Sequence, residues 1–127
     1  MDERSSVISI GGQDYELLLS TRATKQIAKR YGGLEQLGDK LLKAENFELA
    51  LDEYCWLIMT LANQPIMIHN LWHPEATKPI LTEEAVELLT TPLDLAGYKD
   101  AITQAMMRGT ARNIASTDGG EGNAESA

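Results

Sequence analysis

The stretch that decides the fold runs from Ile8 to Leu34, ISIGGQDYELLLSTRATKQIAKRYGGL. Ile8, Ile10, Tyr15, Leu17 and Leu19 support two short strands around Gly11-Gly12, because adjacent glycines relieve the steric cost of the positive φ that a tight hairpin turn demands. The alternation lapses at Leu17, Leu18 and Leu19, a triple that fits a strand covered on both faces or one leading straight into a helix. Ser20 or Thr21 then caps a helix by accepting a hydrogen bond from an otherwise unpaired backbone N–H. Ala23, Ile27 and Tyr31 recur at helical spacing, and Gly32 supplies a left-handed stop. This module is regular and carries no catalytic residue set.

Downstream, the pattern is helical. Leu34, Leu37, Leu41 and Leu42 predict a second helix from Leu34 to about Lys43, weakened by Gly38. Asn46 is a candidate cap for the longest helix, from Phe47 to about Ala62, with Phe47, Leu51, Tyr54, Ile58 and Leu61 on one side. Cys55, Trp56, Leu57 and Met59 fill its other sides, so it is either central in the core or keeps a face for a partner. Pro65 is expected to end it, since the proline ring disfavours helix at Gln64. Residues 65–81, PIMIHNLWHPEATKPIL, hold three prolines and read as a mostly irregular connector. Thr82 caps a short helix containing Val86, Leu88 and Leu89, with Glu83 and Glu84 at its positive dipole end. Thr91 caps the last helix, with Pro92 at its first position and Asp94 near free N–H groups. Leu95, Ala101, Ile102, Ala105 and Met106 form its inward stripe, and Gly109 is expected to end it.

From Ser116 the sequence STDGGEGNAESA has no large apolar residue, so burial cannot offset its ordering entropy and a disordered acidic tail is expected. The predicted architecture is mainly α: a small N-terminal β-hairpin, a bundle of about five helices in one domain over residues 1–115, and a tail over 116–127. At 127 residues, with 43% apolar and 24% charged, the chain matches an ordinary globular domain.

A net charge of −8 argues against a general nucleic-acid binder and against docking on anionic lipid, both of which call for basic surfaces. Cys55 is the only cysteine, which excludes an internal disulfide and the four-cysteine or two-cysteine, two-histidine zinc sites. The N-terminal MDERSS does not read as a signal peptide. The apolar stretch from Tyr54 to Trp72 is interrupted by Asn63, Gln64, Pro65, His69 and Asn70, too often to span a bilayer. The expected compartment is a reducing cytoplasm.

The candidates for chemistry are few. His69 and His73 stand four apart, as a helical metal pair requires, and Glu75 offers a third ligand. Pro74 follows at once, however, and there is no third histidine, so the pair reads as incidental and no metal is expected. Cys55 with His69 or His73 as base would make a nucleophile. Its neighbours Tyr54, Trp56 and Leu57 predict instead an inert buried thiol. Glu83-Glu84 and Asp52-Glu53 are accounted for by helix starts and helix edges. Gly11-Gly12 lacks the lysine of a phosphate loop. No catalytic residue, cofactor or metal is predicted, and no enzyme.

Two features suit binding. Arg22, Lys25 and Lys29, with Arg30 beside them, form a basic stripe on the first helix, either a solvated face or a docking patch for an acidic segment such as the chain's own tail. Trp56, Met59, Met67, Trp72, Met106 and Met107 supply either core or an adaptable apolar groove of the kind that takes an amphipathic helix.

Taken together, the hairpin ISIGGQDYELLLS, the helix break RYGGLEQL, the leucine-rich bundle, LTEEAVELL and the closing AITQAMMRG resemble the tail assembly chaperones of long-tailed bacteriophages, over about residues 7–110. The resemblance implies a non-enzymatic protein of the host cytoplasm, absent from the mature virion. It would bind and solubilise the tape-measure protein and help recruit tail-tube subunits. A longer frameshifted form is common in the family, and self-association is left open. On the reading of the residues themselves, the partner-binding set is Trp56, Met59, Trp72 and Met106 for a groove, with Arg22, Lys25 and Lys29 for polar contact. A second reading, a small acidic regulator that imitates nucleic-acid charge to occupy a DNA-binding partner, requires a dense acidic face. The acids here are spread along the chain and broken by the basic helix.

Overall fold

Strands β1 (Ser5–Ile10) and β2 (Gln13–Leu18) pair antiparallel, with Ile10 opposite Gln13 and Ser6 opposite Leu17. Gly11 and Gly12 close the hairpin at φ 59° and 82°, the two positive values that a two-residue turn of matching twist needs. This computed structural model describes residues 5–37 and 47–118 of the chain. By the pairing, Ser6, Ile8, Ile10 and Leu17 share one face and are buried. Leu18 points to the other face and is buried too, so the end of β2 is covered on both sides. Leu19, also buried, leads directly to a helix cap, and both halves of the expectation for the leucine triple hold.

Helix α1 (Thr21–Tyr31) starts at Ser20, whose hydroxyl accepts from the Ala23 N–H at 3.1 Å, and stops at Gly32 in the left-handed region with φ 96°. Ala23 and Ile27 turn inward. A single helical turn, α2 (Leu34–Leu37), follows; the rest of the expected 34–43 helix and the Asn46 cap lie outside the described residues.

The core is built around α3 (Phe47–Trp72), 26 residues and about 39 Å long at 1.5 Å per residue. Tyr54, Cys55, Leu57, Ile58, Leu61 and Ala62 are all buried, as a helix packed on several sides requires. β2 packs on it, and α6 covers β1 and part of β2. The expected stop at Ala62 is wrong: the helix passes through Pro65 and continues for seven more residues. A proline inside a helix costs about 3 kcal/mol through the lost N–H and the ring clash. That cost is offset here by tertiary contacts on the same turns. Asn63 and Gln64 are buried and bonded, Asn63 to Leu81 on the returning chain and Gln64 to the Ser20 hydroxyl. Of the predicted connector, 65–81, only the part after Trp72 is irregular.

Thr82 caps α4 (Glu83–Leu89), in which Val86 is buried while Leu88 and Leu89 remain exposed. Thr91 and Asp94 form a reciprocal capping box at 3.0 and 3.2 Å that starts α5 (Pro92–Gly97). The single last helix of the sequence reading is in fact two, since the chain breaks at Gly97-Tyr98 before α6 (Lys99–Asp118). The Tyr98 hydroxyl donates to the Ser9 carbonyl at 2.5 Å. Arg108 donates to the Ser5 carbonyl. Together they occupy two outward-facing acceptors on the free edge of β1, which would otherwise invite strand pairing.

Gly109 does not end α6, which runs on to Asp118 and takes in Ser116–Asp118 of the predicted tail; residues 119–127 lie outside the described residues. Its role is close approach. A Cβ added there would sit 2.8 Å from Leu19 Cβ and 3.0 Å from the Leu19 carbonyl oxygen. Gly109→Ala is therefore expected to destabilise the fold by about 1–3 kcal/mol through overpacking, against a helix-propensity gain of about 1 kcal/mol. Urea unfolding checks this, and a variant as stable as the parent or more so would refute the contact.

Candidate partner-binding groove

Helices α1 and α3 run antiparallel, and three contacts fix the pair. Ser20 Oγ donates to Gln64 Oε1, Arg22 Nη1 lies 3.6 Å from Met67 Sδ, and Arg30 reaches Glu53 at 3.3 Å. On the other side of α3 the chain turns at residues 74–76 and returns as an extended strap over residues 77–82. Asn63 grips it at Leu81, donating to the carbonyl and accepting from the N–H, both at 2.7 Å. Asn70 does the same at Lys78, at 3.0 and 2.7 Å. Each asparagine amide thus pairs with the N–H and C=O of one residue, as a neighbouring strand would.

Between α1 and the strap lies an open groove of about 770 Å3. Its floor is the α3 face carrying Trp56, Met59, Asn63 and Met67; Lys29 and Arg30 stand on one wall, Ile80 and Glu83 on the other. One end is braced by an aromatic corner. The Arg30 guanidinium lies 4.6 Å from the Trp56 ring centre, and Tyr31 meets Trp56 edge-on at 5.9 Å. The Tyr31 hydroxyl donates to Glu53 at 2.5 Å, and burial followed by that carboxylate pushes the phenol's pKa up. Arg30 is therefore held by Glu53 and Trp56, whereas Arg22, Lys25 and Lys29 line the exposed side of α1.

The structure brings together five of the seven residues singled out in the sequence: Trp56, Met59 and Lys29 line the groove, Arg22 touches its floor at Met67, and Lys25 stands between Arg22 and Lys29. Trp72 and Met106 stand apart. Trp72 lies sixteen residues beyond Trp56 on α3, about 160° around the helix at 100° per residue, and is 73% exposed. Met106 is half-buried on α6 against the core. Asn63 and the strap were missed, and Met67 was named with the bulky residues but left out of the partner-binding set, because the helix was expected to stop. The signal was present, since Met67 falls eight residues after Met59, on the same face of any helix that continues.

His69 and His73 do lie on one side, with ring centres 4.7 Å apart. His69 Nε2–H donates to the Ala76 carbonyl at 2.9 Å, and His73 faces Glu75 at 3.8 Å. Among the described residues no group of three or more His, Cys, Asp or Glu is placed to hold a metal ion. Cys55 is 3% exposed, and it lies fourteen residues, about 21 Å of helix, from His69, which separates thiol from base. No described helix is long and apolar enough to cross a membrane.

No protein-family model, curated protein or solved structure matches the chain.

Burial, then the carboxylates of Glu87, Glu83 and Asp52, push the Cys55 thiol from 9.0 up to about 11. A folded pKa raised above the unfolded one contributes stability in full below the unfolded value, and that contribution is lost as pH rises through the folded value. Stability is thus expected to fall between pH 9 and 11. The thiol is expected to resist aromatic disulfide reagents at pH 8 until denaturant is added. Rapid labelling of the native protein would show that Cys55 is not buried as described.

Proposed function

We propose that the protein is a tail assembly chaperone of a long-tailed bacteriophage, which binds and solubilises the tape-measure protein and helps recruit tail-tube subunits to it. The observation that carries this reading is the groove, whose methionine and tryptophan floor lies open between a basic helix and an extended strap. From Trp56 to Met67 the floor extends about 16 Å, three turns of a docked helix. A long helical partner exposes apolar stripes that aggregate, and covering them removes about 25 cal/mol per Å2 from that driving force. Methionine side chains, flexible and polarisable, suit a floor that must take successive and unlike helical stretches. The net charge of −8 keeps the loaded complex apart from its copies by repulsion. The role is non-enzymatic and belongs to the host cytoplasm before the virion is complete.

Co-expression with the tape-measure protein of the same phage tests the reading. Soluble tape measure is expected only with the chaperone, and the complex is expected to survive high salt because its contact is apolar. Met67→Glu places a carboxylate on the floor of the groove and is expected to lower the soluble yield about tenfold, with the fold intact by circular dichroism. A tape measure that stays insoluble and unbound with the parent chain would overturn the assignment.

A further inference from the structure

The walls of the groove carry opposite charge. Helix α1 carries Arg22, Lys25, Lys29 and Arg30 and not one acidic side chain; Lys29 and Arg30 line the groove, and Arg22 and Lys25 continue the basic face beside it. Across the floor, α4 carries Glu83, Glu84 and Glu87 and not one basic side chain, with Glu84 and Glu87 beyond the residues that line the groove. Glu83 itself lines the groove opposite Lys29. Other charges nearby do not blur this division. Lys78 on the strap borders a separate cavity on the hairpin side, with Asp14, Glu16 and His69, and Arg30 is already engaged by Glu53.

We infer that the groove takes an amphipathic helix of a partner protein whose apolar stripe is flanked by acidic residues on one side and basic residues on the other. The inference rests on the groove being the partner site and adds what that partner must look like. The acidic flank lies along α1 and the basic flank along α4. Turning such a helix end for end exchanges its flanks, so the two walls also select one of the two directions in which it can lie. Opposite charge aligned across a rim sets register and orientation more than raw affinity, while like charge in the reversed pose repels. The apolar floor supplies the holding force and the walls supply the direction.

The test uses the full chain and three synthetic helices of about sixteen residues that share one leucine stripe. The first segregates glutamate and lysine on opposite flanks, the second mixes the same residues on both, and the third has glutamine flanks. Binding is read by anisotropy, with quenching of tryptophan emission and its loss in Met67→Glu marking the groove. At low salt the segregated peptide is expected to bind roughly tenfold tighter than the mixed one, the size expected of a few rim ion pairs. The gap is expected to close near 1 M salt and to vanish in the Lys25→Glu, Lys29→Glu variant. Equal affinity of the segregated and mixed peptides at low salt would overturn the charge reading while leaving an apolar chaperone groove in place. Failure of all three peptides, with tape measure still solubilised, would overturn the groove as a helix site. A dimer dissociated by Met67→Glu would make the occupant a second copy of this chain, and the partner helix would fall.

Discussion

Seven residues of α-helix and three residues of extended chain cover nearly the same distance, and the groove depends on that match. Asn63 and Asn70 are about 10.5 Å apart along α3 at 1.5 Å per residue. Lys78 and Leu81, which they grip, are about 10 Å apart in an extended strand. Both asparagines can therefore bond their strap residue at once without straining helix or strap. Asn63 is buried, so its amide bonds are obligatory: leaving one buried partner unsatisfied costs about 1–3 kcal/mol, more than a typical bond contributes net. The strap is thereby fixed as a wall, Leu81 is pinned into the core, and Thr82 is delivered to the place where it caps α4.

The same constraint explains why α3 is long. Without the turns after Pro65 there would be no Asn70 in register and no Met67 on the floor. A proline rule drawn from local sterics weighs about 3 kcal/mol against helix continuation. It is outvoted by bonds that exist only once the strap has folded back, and no local window contains them. What the sequence shows well is whatever is decided within a few residues: the Gly11-Gly12 turn, the Ser20 cap and Gly32 stop, and the Thr91–Asp94 box. What it conceals is decided by a distant neighbour. Gly109 reads as a terminator but serves as a contact with Leu19, ninety residues away. Tyr98 falls inside the predicted last helix, yet its hydroxyl ties that segment to Ser9 on the hairpin.

The candidate site divides along the same line. Trp56, Met59 and the α1 cations could be picked out because bulky apolar and clustered basic residues are unusual in an acidic chain of this size. Placing them together required knowing that α1 returns antiparallel along α3, which the Ser20–Gln64 and Arg30–Glu53 pairs establish. Trp72 and Met106 were chosen on side-chain chemistry alone, and chemistry carries no angle. Once the helix is known to be continuous, its geometry puts Trp72 on the opposite side.

The charge of α1 is harder to account for by stability than by recognition. Arg22 and Lys25 are three apart and Lys25 and Lys29 four apart, spacings at which like charges destabilise a helix by about 0.2–0.5 kcal/mol per pair. Arg22 also sits in the first turn, where the helix dipole favours an anion, and the helix has no acidic residue there. Solubility gives no reason for the arrangement, since interspersed charges of both signs would serve it as well. The one place where a one-signed face is useful is opposite the one-signed face of α4, across a groove floored by Trp56, Met59 and Met67. The local cost and the facing geometry point to the same cause, a ligand that must be held in one orientation.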